Sequence, residues 1–300
     1  MRCILPLALS VTVAACGSSA ASSSGGGGGA GGDGSSVTAK GGATAGTSSP
    51  DPGPPPASAA GFFILANMQG NDGVAKGTAT GFFQSPARSF DGADMIAFFQ
   101  RYQSVPLDGC QVVPATKPMP TPTLVDAGAL LLTLPDGTTA PVPKKQLSVI
   151  LYKADLPQTA FVPHARYGVA GGNGIAVPPF TGEAWSPGML TVTTPTLDGK
   201  GLIVPRKVPL DLAWTSSPGD DEVFVFLVQG ETRIACRVTD DGAFSVPAAV
   251  LSGLTASAAS TSTSPDQVIV QKYSWYAVGT GDASMLVQVQ IGATMDVTYE

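Results

Sequence analysis

The chain contains few of the residues from which catalytic and nucleic-acid-binding sites are usually built. It has 1 histidine in 300 residues, and 16 Lys and Arg against 22 Asp and Glu, a formal net charge of −6 at pH 7. A single imidazole excludes any site that needs two histidines. The basic residues are scattered along the chain, and affinity for phosphates needs clustered Lys and Arg. We therefore expect no nucleic-acid partner.

Motifs for nucleophilic catalysis and phosphate binding are also missing. No serine lies in a Gly-x-Ser-x-Gly elbow. The glycine-rich segment 168–174 is followed by prolines rather than by the helix that a phosphate-binding loop requires. His164 stands alone in a Val-Pro-His-Ala-Arg run, and we interpret it as a structural or exposed residue. The sequence therefore predicts neither a cofactor nor a triad-type hydrolase.

Two acidic turns, residues 220–222 and 240–242, offer oxygen ligands of the kind that Ca²⁺ prefers. Neither has the alternating ligand spacing of an EF-hand, and Asp-Asp-Gly is first of all a turn signal. We predict no metal site. The calcium candidates set aside by this reasoning are Asp220, Asp221, Asp240 and Asp241.

The first residues form a short export signal. A basic start, an apolar run from Ile4 to Ala15 and small residues before Cys16 are typical of a secretory signal, and the run is too short to span a membrane. The segment Val13-Ala14-Ala15-Cys16 resembles the lipobox of bacterial lipoproteins. That resemblance implies cleavage after Ala15, a diacylglycerol on the Cys16 sulfur and a further acyl chain, such as palmitate, on the new amino group. Two or more acyl chains give stable anchoring.

The lipoprotein resemblance also implies an address. Gly17, rather than Asp, follows the lipidated cysteine, which in this family points to the outer membrane. We therefore expect a protein of the cell envelope whose partner is the membrane, held through the lipid anchor. An ordinary secreted protein with an unmodified Cys16 remains the alternative.

The rest of the chain divides at about residue 60. Residues 16–60 are almost entirely Gly, Ser, Ala, Thr and Pro, which cannot form a core, so we predict a disordered tether behind the signal peptide 1–15. Residues 61–300 consist of short β-branched and aromatic runs separated by turn residues. This pattern predicts an all-β extracytoplasmic domain, an antiparallel β-sandwich that is immunoglobulin-like or related. It forms one sandwich or two packed ones, with a possible subdivision near residue 200.

Eleven strands are predicted in this domain. They lie near residues 62–66, 76–84, 110–113, 129–134, 147–153, 189–193, 210–214, 223–228, 232–238, 268–275 and 285–299. Residues 93–102 are ambiguous between a strand and a short helix, and a brief helix is predicted over residues 247–254. The run Val223 to Val228 is apolar on both faces, which is typical of a strand covered on both sides.

Two cysteines remain once the signal is removed and Cys16 is lipidated. In an exported protein such a pair predicts a disulfide, here between Cys110 and Cys236. Free buried thiols or part of a metal site stay open as alternatives. The alternation around Cys236 places it on the same strand face as Ile234 and Val238, toward the core.

Tyr273, Trp275 and Tyr276 crowd one strand end and are the best candidate for an exposed ligand patch, although cross-strand packing is the commoner use of such residues. The tail from Pro209 onward looks like uncharacterised secreted lipoproteins of the myxobacterial type, a resemblance that brings no activity with it. We expect a non-enzymatic module that binds an envelope protein or glycan, or supports the envelope. The alternative is a carboxylate-dependent glycoside hydrolase that acts on envelope polysaccharide.

Overall fold

The structure is a computed structural model. It describes residues 58–89, 102, 104–113, 123–146, 150–172, 176–219, 222–230, 232–257, 265–279 and 285–300. The predicted signal peptide, Cys16 and the tether to residue 57 lie outside the described residues. So do Asp220, Asp221 and all of the ambiguous segment 93–102 except Tyr102.

The described part of the chain is built almost entirely of β-strands. In chain order these are β1 Ser58–Gln69, β2 Ala75–Ser89, β3 Gly109–Val113, β4 Leu131–Thr133, β5 Thr139–Pro141, β6 Lys144–Gln146, β7 Ile150–Leu156, β8 Arg166–Gly171, β9 Phe180–Trp185, β10 Leu190–Thr194, β11 Leu202–Val204, β12 Leu210–Ser216, β13 Val223–Gln229, β14 Thr232–Val238, β15 Ala243–Val246, β16 Asp266–Val278 and β17 Met285–Tyr299. A 3₁₀ turn spans Gln158–Ala160, and the helix α1 spans Ala248–Leu251 after Pro247. The brief helix predicted after that proline is therefore confirmed.

A 9-stranded sheet forms one layer of the fold, with the order β14-β13-β16-β17-β1-β2-β7-β6 and with β11 added beside β17. Strand β17 lies at its centre. It pairs antiparallel with β16 from Met285 to Val297 and parallel with β1 from Met285 to Ala293. Strand β11 then takes the place of β1 along the last residues of β17. The sheet draws strands from both sides of residue 200.

Two smaller sheets form the opposing layer. One has the order β5-β4-β8-β9 and the other β10-β12-β15. One cluster of buried side chains joins all three sheets: Leu65 and Val289 from the large sheet, Val169 from the first small sheet and Leu212 from the second belong to it. The fold is an all-β sandwich with mainly antiparallel strands, as the sequence predicts. No helix in the described residues is long and apolar enough to cross a membrane.

Both faces of the large sheet are covered around β13. Val223, Val225 and Leu227 point toward the small sheets, whereas Phe224 and Phe226 belong to a second apolar cluster on the opposite face, with Tyr102, Val105 and Val113. All of the apolar side chains of β13 except the half-buried Val228 are buried. The run of consecutive apolar residues in this strand therefore reflects burial on both faces, as expected.

Candidate functional site

A charged cluster lies between the large sheet and the β10-β12-β15 sheet. Lys272 belongs to the middle of β16, and its side chain has no exposed surface. Its Nζ lies 2.5 Å from Oδ2 of Asp240, whose side chain exposes 7% of its surface. Lys272 shares its strand face with Val270 and Tyr276, both part of the main core. A full ion pair is thus enclosed among apolar side chains.

Strand β12 completes the cluster from the opposing layer. The indole Nε1 of Trp214 donates a hydrogen bond of 2.7 Å to Oδ1 of Asp240. The hydroxyl of Ser216 lies 2.8 Å from Oδ1 and 2.7 Å from Oδ2 of the same carboxylate. Trp214 and Ser216 point to one side of β12 because they are two residues apart. Both oxygens of Asp240 are therefore bound by donors.

The turn that carries Asp240 is fixed on both sides. The backbone N–H of Thr239 donates a hydrogen bond of 2.8 Å to Oδ1 of Asp108. The backbone N–H of Trp214 donates a hydrogen bond of 2.9 Å to the carbonyl of Gly242. Gly242 has φ 97°, a left-handed conformation that glycine adopts without strain. The Asp-Asp-Gly sequence thus forms the turn it predicts, and this turn directs the Asp240 side chain inward.

The environment of Asp240 acts on its pKa in two opposite directions. Burial by itself raises the pKa, because it disfavours the charged form. The hydrogen bonds from Lys272, Ser216 and Trp214, together with the charge of Lys272, outweigh that effect and hold the pKa of Asp240 below its usual value. The cluster therefore contains a carboxylate anion that is held in place by three side chains.

Neither described calcium candidate is arranged as a cation site. Asp240 is bound by Lys272, Trp214 and Ser216, and Oδ1 of Asp241 accepts the backbone N–H of Ala243 at 3.3 Å, as in an ordinary turn. Within the ranges that the structure describes, no group of three or more His, Cys, Asp and Glu residues could hold a metal ion. Turn formation and ion pairing account for these two aspartates.

The aromatic residues of β16 do not form the exposed patch that their crowding suggested. Tyr273 is 8% exposed, Trp275 4% and Tyr276 5%. Tyr276 points into the main core, where its ring centroid lies 5.4 Å from that of Trp185. Tyr273 and Trp275 point to the opposite face, where Tyr273 packs 4.8 Å from Phe224. The prediction of one ligand patch is corrected, because the strand is covered on both faces.

The disulfide between Cys110 and Cys236 is confirmed, with a sulfur–sulfur distance of 2.03 Å. Cys236 is fully buried on the core face of β14, together with Ile234 and Val238, as the alternation indicated. The backbone N–H of Asp108, next to β3, also bonds the carbonyl of Arg237 at 2.7 Å. The bridge thus attaches β3 to the edge strand of the large sheet.

His164 has a structural position. It is 5% exposed, it has φ 53°, and its Nε2 donates a hydrogen bond of 3.0 Å to the carbonyl of Pro218. A non-glycine residue in the left-handed region carries some strain, which the surrounding contacts must offset. The contact ties the loop before β8 to the loop after β12, in agreement with the structural reading of this histidine.

Lys272 is the residue of the cluster that sequence reasoning missed. It lies in the run Val268-Ile269-Val270-Gln271-Lys272-Tyr273, where period-2 alternation assigns the two polar neighbours to opposite faces. In the structure both Gln271 and Lys272 have no exposed surface. A lysine in the middle of a long, mainly apolar strand was the available signal, because a buried lysine requires a partner.

Comparisons with known proteins identify no family for the chain. No family model and no curated protein matches the chain. One solved structure, a tetra-tandem repeat in the extending region of a large adhesion protein, is 13% identical to it; the match covers 79% of this chain and 50% of that one, with a TM-score of 0.21. The match thus spans about half the length of that structure. A TM-score of 0.21 is too low to carry fold or function from one protein to the other.

Proposed function

We propose that the chain is a lipid-anchored extracytoplasmic module of the cell envelope that binds an envelope component or supports envelope architecture without catalysis. The lipid anchor on Cys16 would hold the sandwich at the membrane, and the segment 17–57 would separate the two. The outer membrane is the proposed location, on the strength of Gly17.

The disulfide between Cys110 and Cys236 is the observation that carries this proposal. Disulfides form and persist outside the reducing cytoplasm. The bridge fits a chain that begins with an export signal, and it leaves Cys16 as the one cysteine of the mature sequence for lipid attachment. Export and anchoring are therefore supported by two separate features of the cysteine pattern.

The contacts of three buried or half-buried acidic side chains support a non-catalytic role. Glu222 pairs with Arg237, and Asp240 with Lys272. Asp266 accepts hydrogen bonds from Gln229 at 3.0 Å and Ser257 at 2.6 Å. A glycoside hydrolase needs two carboxylates that face each other across a cleft at roughly 5 to 10 Å. Each of these carboxylates instead stabilises the fold through its own donors.

Metabolic labelling tests the anchor. The chain, expressed in a bacterial host with an alkyne analogue of palmitate, should incorporate the label and sediment with the outer-membrane fraction. The Cys16→Ser variant should lose the label, whereas the Cys110→Ser variant should keep it. An unlabelled wild-type chain would contradict lipid anchoring.

Binding is tested with defined envelope components. The chain is immobilised and exposed separately to peptidoglycan, outer-membrane glycolipid and a detergent extract of outer-membrane proteins. Saturable binding in one arm, with no change in the mass of the bound glycan, is the expected result. Hydrolysis of a glycan would favour the hydrolase, and no binding in any arm would contradict the binding role.

A further inference from the structure

We propose that Lys272 and Asp240 condense into an intramolecular amide bond between Nζ of the lysine and Cγ of the aspartate. The bond would crosslink the middle of β16 to the turn after β14. It would be a second covalent link in the sandwich, besides the disulfide, and it is independent of the proposed function.

The buried surroundings of Lys272 and Asp240 favour a neutral amide over two separate ions. Nζ and Oδ2 are 2.5 Å apart, and the side chains expose 0% and 7% of their surface. Burial of two charges costs several kcal/mol per ion even when they are paired, whereas an amide carries no net charge. Condensation would remove both charges and expel one water. Because the donors around Asp240 keep it ionised, the neutral pair is a minor species, and the reaction would be slow and occur once per molecule.

The surrounding groups are placed to assist each step. A proton passes from Nζ to Oδ2, which gives a neutral amine and a carboxylic acid. The lone pair of Nζ then attacks Cγ, and the electron pair of the C–Oδ1 bond moves onto Oδ1. That oxyanion receives the Trp214 Nε1–H at 2.7 Å and the Ser216 hydroxyl at 2.8 Å, an arrangement that stabilises negative charge on oxygen.

The intermediate then breaks down to an amide and one water. The electron pair returns from Oδ1 to Cγ, and the bond from Cγ to Oδ2 breaks. Oδ2 leaves as water once a second proton from Nζ reaches it. Nζ lies 2.5 Å from Oδ2, so this proton can pass directly between the two atoms. One water is lost, no oxidant or reductant is needed, and no cofactor takes part.

A second lysine–aspartate pair in the same chain provides the comparison. Lys144 and Asp126 also lie 2.5 Å apart, but their side chains are 41% and 43% exposed. Water solvates both ions there, so the ionic form is stable and condensation is not favoured. Burial, rather than distance, distinguishes the two pairs. We expect the Lys272 pair to react and the Lys144 pair to remain ionic.

Trypsin digestion of the denatured, reduced full-length protein tests the proposal. Asp240 and Lys272 lie in one tryptic peptide, residues 238–272, which contains no other Lys or Arg. An amide on Nζ blocks cleavage after Lys272. The expected product is peptide 238–300, lighter than its linear mass by about 18 Da, one water, with fragment ions that place the link between residues 240 and 272. Cleavage after Lys144 should proceed normally.

Variants separate the amide from other causes of a missed cleavage. Asp240→Ala should restore cleavage after Lys272, and Lys272→Arg should restore cleavage at that position. Ser216→Ala should slow the appearance of the crosslinked peptide several-fold while the far-ultraviolet circular dichroism stays unchanged. The proposal would be overturned if peptide 238–272 appeared at its unmodified mass and cleavage after Lys272 were as complete as cleavage after Lys144. Blocked cleavage that persists in Asp240→Ala would overturn it as well.

Discussion

Loss of Asp240 would remove the common acceptor of three side chains. Its carboxylate binds Lys272, Trp214 and Ser216, which belong to two different layers of the sandwich. Removal of one partner from a buried pair leaves the other charge without compensation, and this costs more than the pair itself contributes. Until the proposed amide forms, the stability of the cluster therefore depends on the presence of both ions.

We predict that Asp240→Ala lowers the free energy of unfolding by about 3 to 5 kcal/mol relative to wild-type protein in which the pair is still ionic, because Lys272 then remains buried without its anion. The double variant Asp240→Leu with Lys272→Met should be more stable than Asp240→Ala, because it removes both charges. Urea denaturation followed by tryptophan fluorescence measures both values. A double variant less stable than Asp240→Ala would contradict this view of the pair.

The carboxyl group of Asp126 makes the free energy of unfolding depend on pH in the acid range. Hydrogen bonds from Lys144, Tyr152 and the Gly128 amide lower its pKa to about 2, against about 3.9 in an unfolded chain. A carboxyl whose pKa is lower in the folded state stabilises the fold above the unfolded pKa, and that contribution is lost as the pH falls through the folded pKa.

The urea midpoint should therefore be constant above about pH 5 and fall between about pH 4 and pH 2. In protein whose Asp240 carboxylate is still free, Asp126→Asn should reduce this fall without abolishing it, because the pKa of Asp240 is also lowered. Since Asp126 is 43% exposed, solvent screening keeps its share small. Urea titrations at a series of pH values compare the two proteins. Parallel curves would show that Asp126 contributes nothing.

Residue-level expectations succeeded where one face of a strand decides the environment. Cys236 has apolar neighbours at two-residue spacing, and its burial follows from that alternation, whereas its bridge was predicted from the count of cysteines in an exported chain. Gln288 and Gln290 also alternate with apolar residues in β17, yet they are only 4% and 5% exposed. Alternation identifies the two faces of a strand, but it does not tell whether the polar face meets water or another part of the chain.

Among the elements, all the long strands were predicted, whereas several of the short ones were not. The predicted bounds of β17 match the structure, because its alternation extends over 15 residues. Strands β5, β6 and β11 are 3 residues long and offer too few positions for any period to show. Strands β8 and β9 contain glycines and a charged pair, Arg166 with Glu183. Pairing with neighbours, rather than local propensity, makes these segments extended.

The disulfide should stabilise the fold by linking two distant strands. It links residues 126 positions apart, and a loop of that size gives a chain-entropy stabilisation of about 4 to 5 kcal/mol as an upper figure. The Cys110→Ser, Cys236→Ser double variant should unfold at a lower urea concentration. Its free energy of unfolding should be smaller by up to this amount. Reduced wild-type protein should behave in the same way. Equal midpoints for oxidised and reduced protein would contradict a stabilising role.

At the scale of the whole molecule, the fold depends on its last strand. Strand β17 pairs with β16, with β1 and with β11, so it connects the first described residues of the chain to the last. Parallel pairing of β1 with β17 requires closure of nearly the whole domain, and such non-local contacts slow folding. The large sheet cannot be completed before residues 285–300 are available.

Truncation tests this dependence. A chain that ends at Ser284 should lose its cooperative thermal transition, because β1 and β16 lose their common neighbour and the core loses Val287, Val289 and Ile291, each 0% exposed. Deletion of residues 17–57 should leave the melting temperature unchanged, because their composition provides no core. Calorimetry and near-ultraviolet circular dichroism compare the two deletions with the full chain. A cooperative transition in the chain that ends at Ser284 would mean that the remaining strands form a core without β17, and the two small sheets would then be the folding unit.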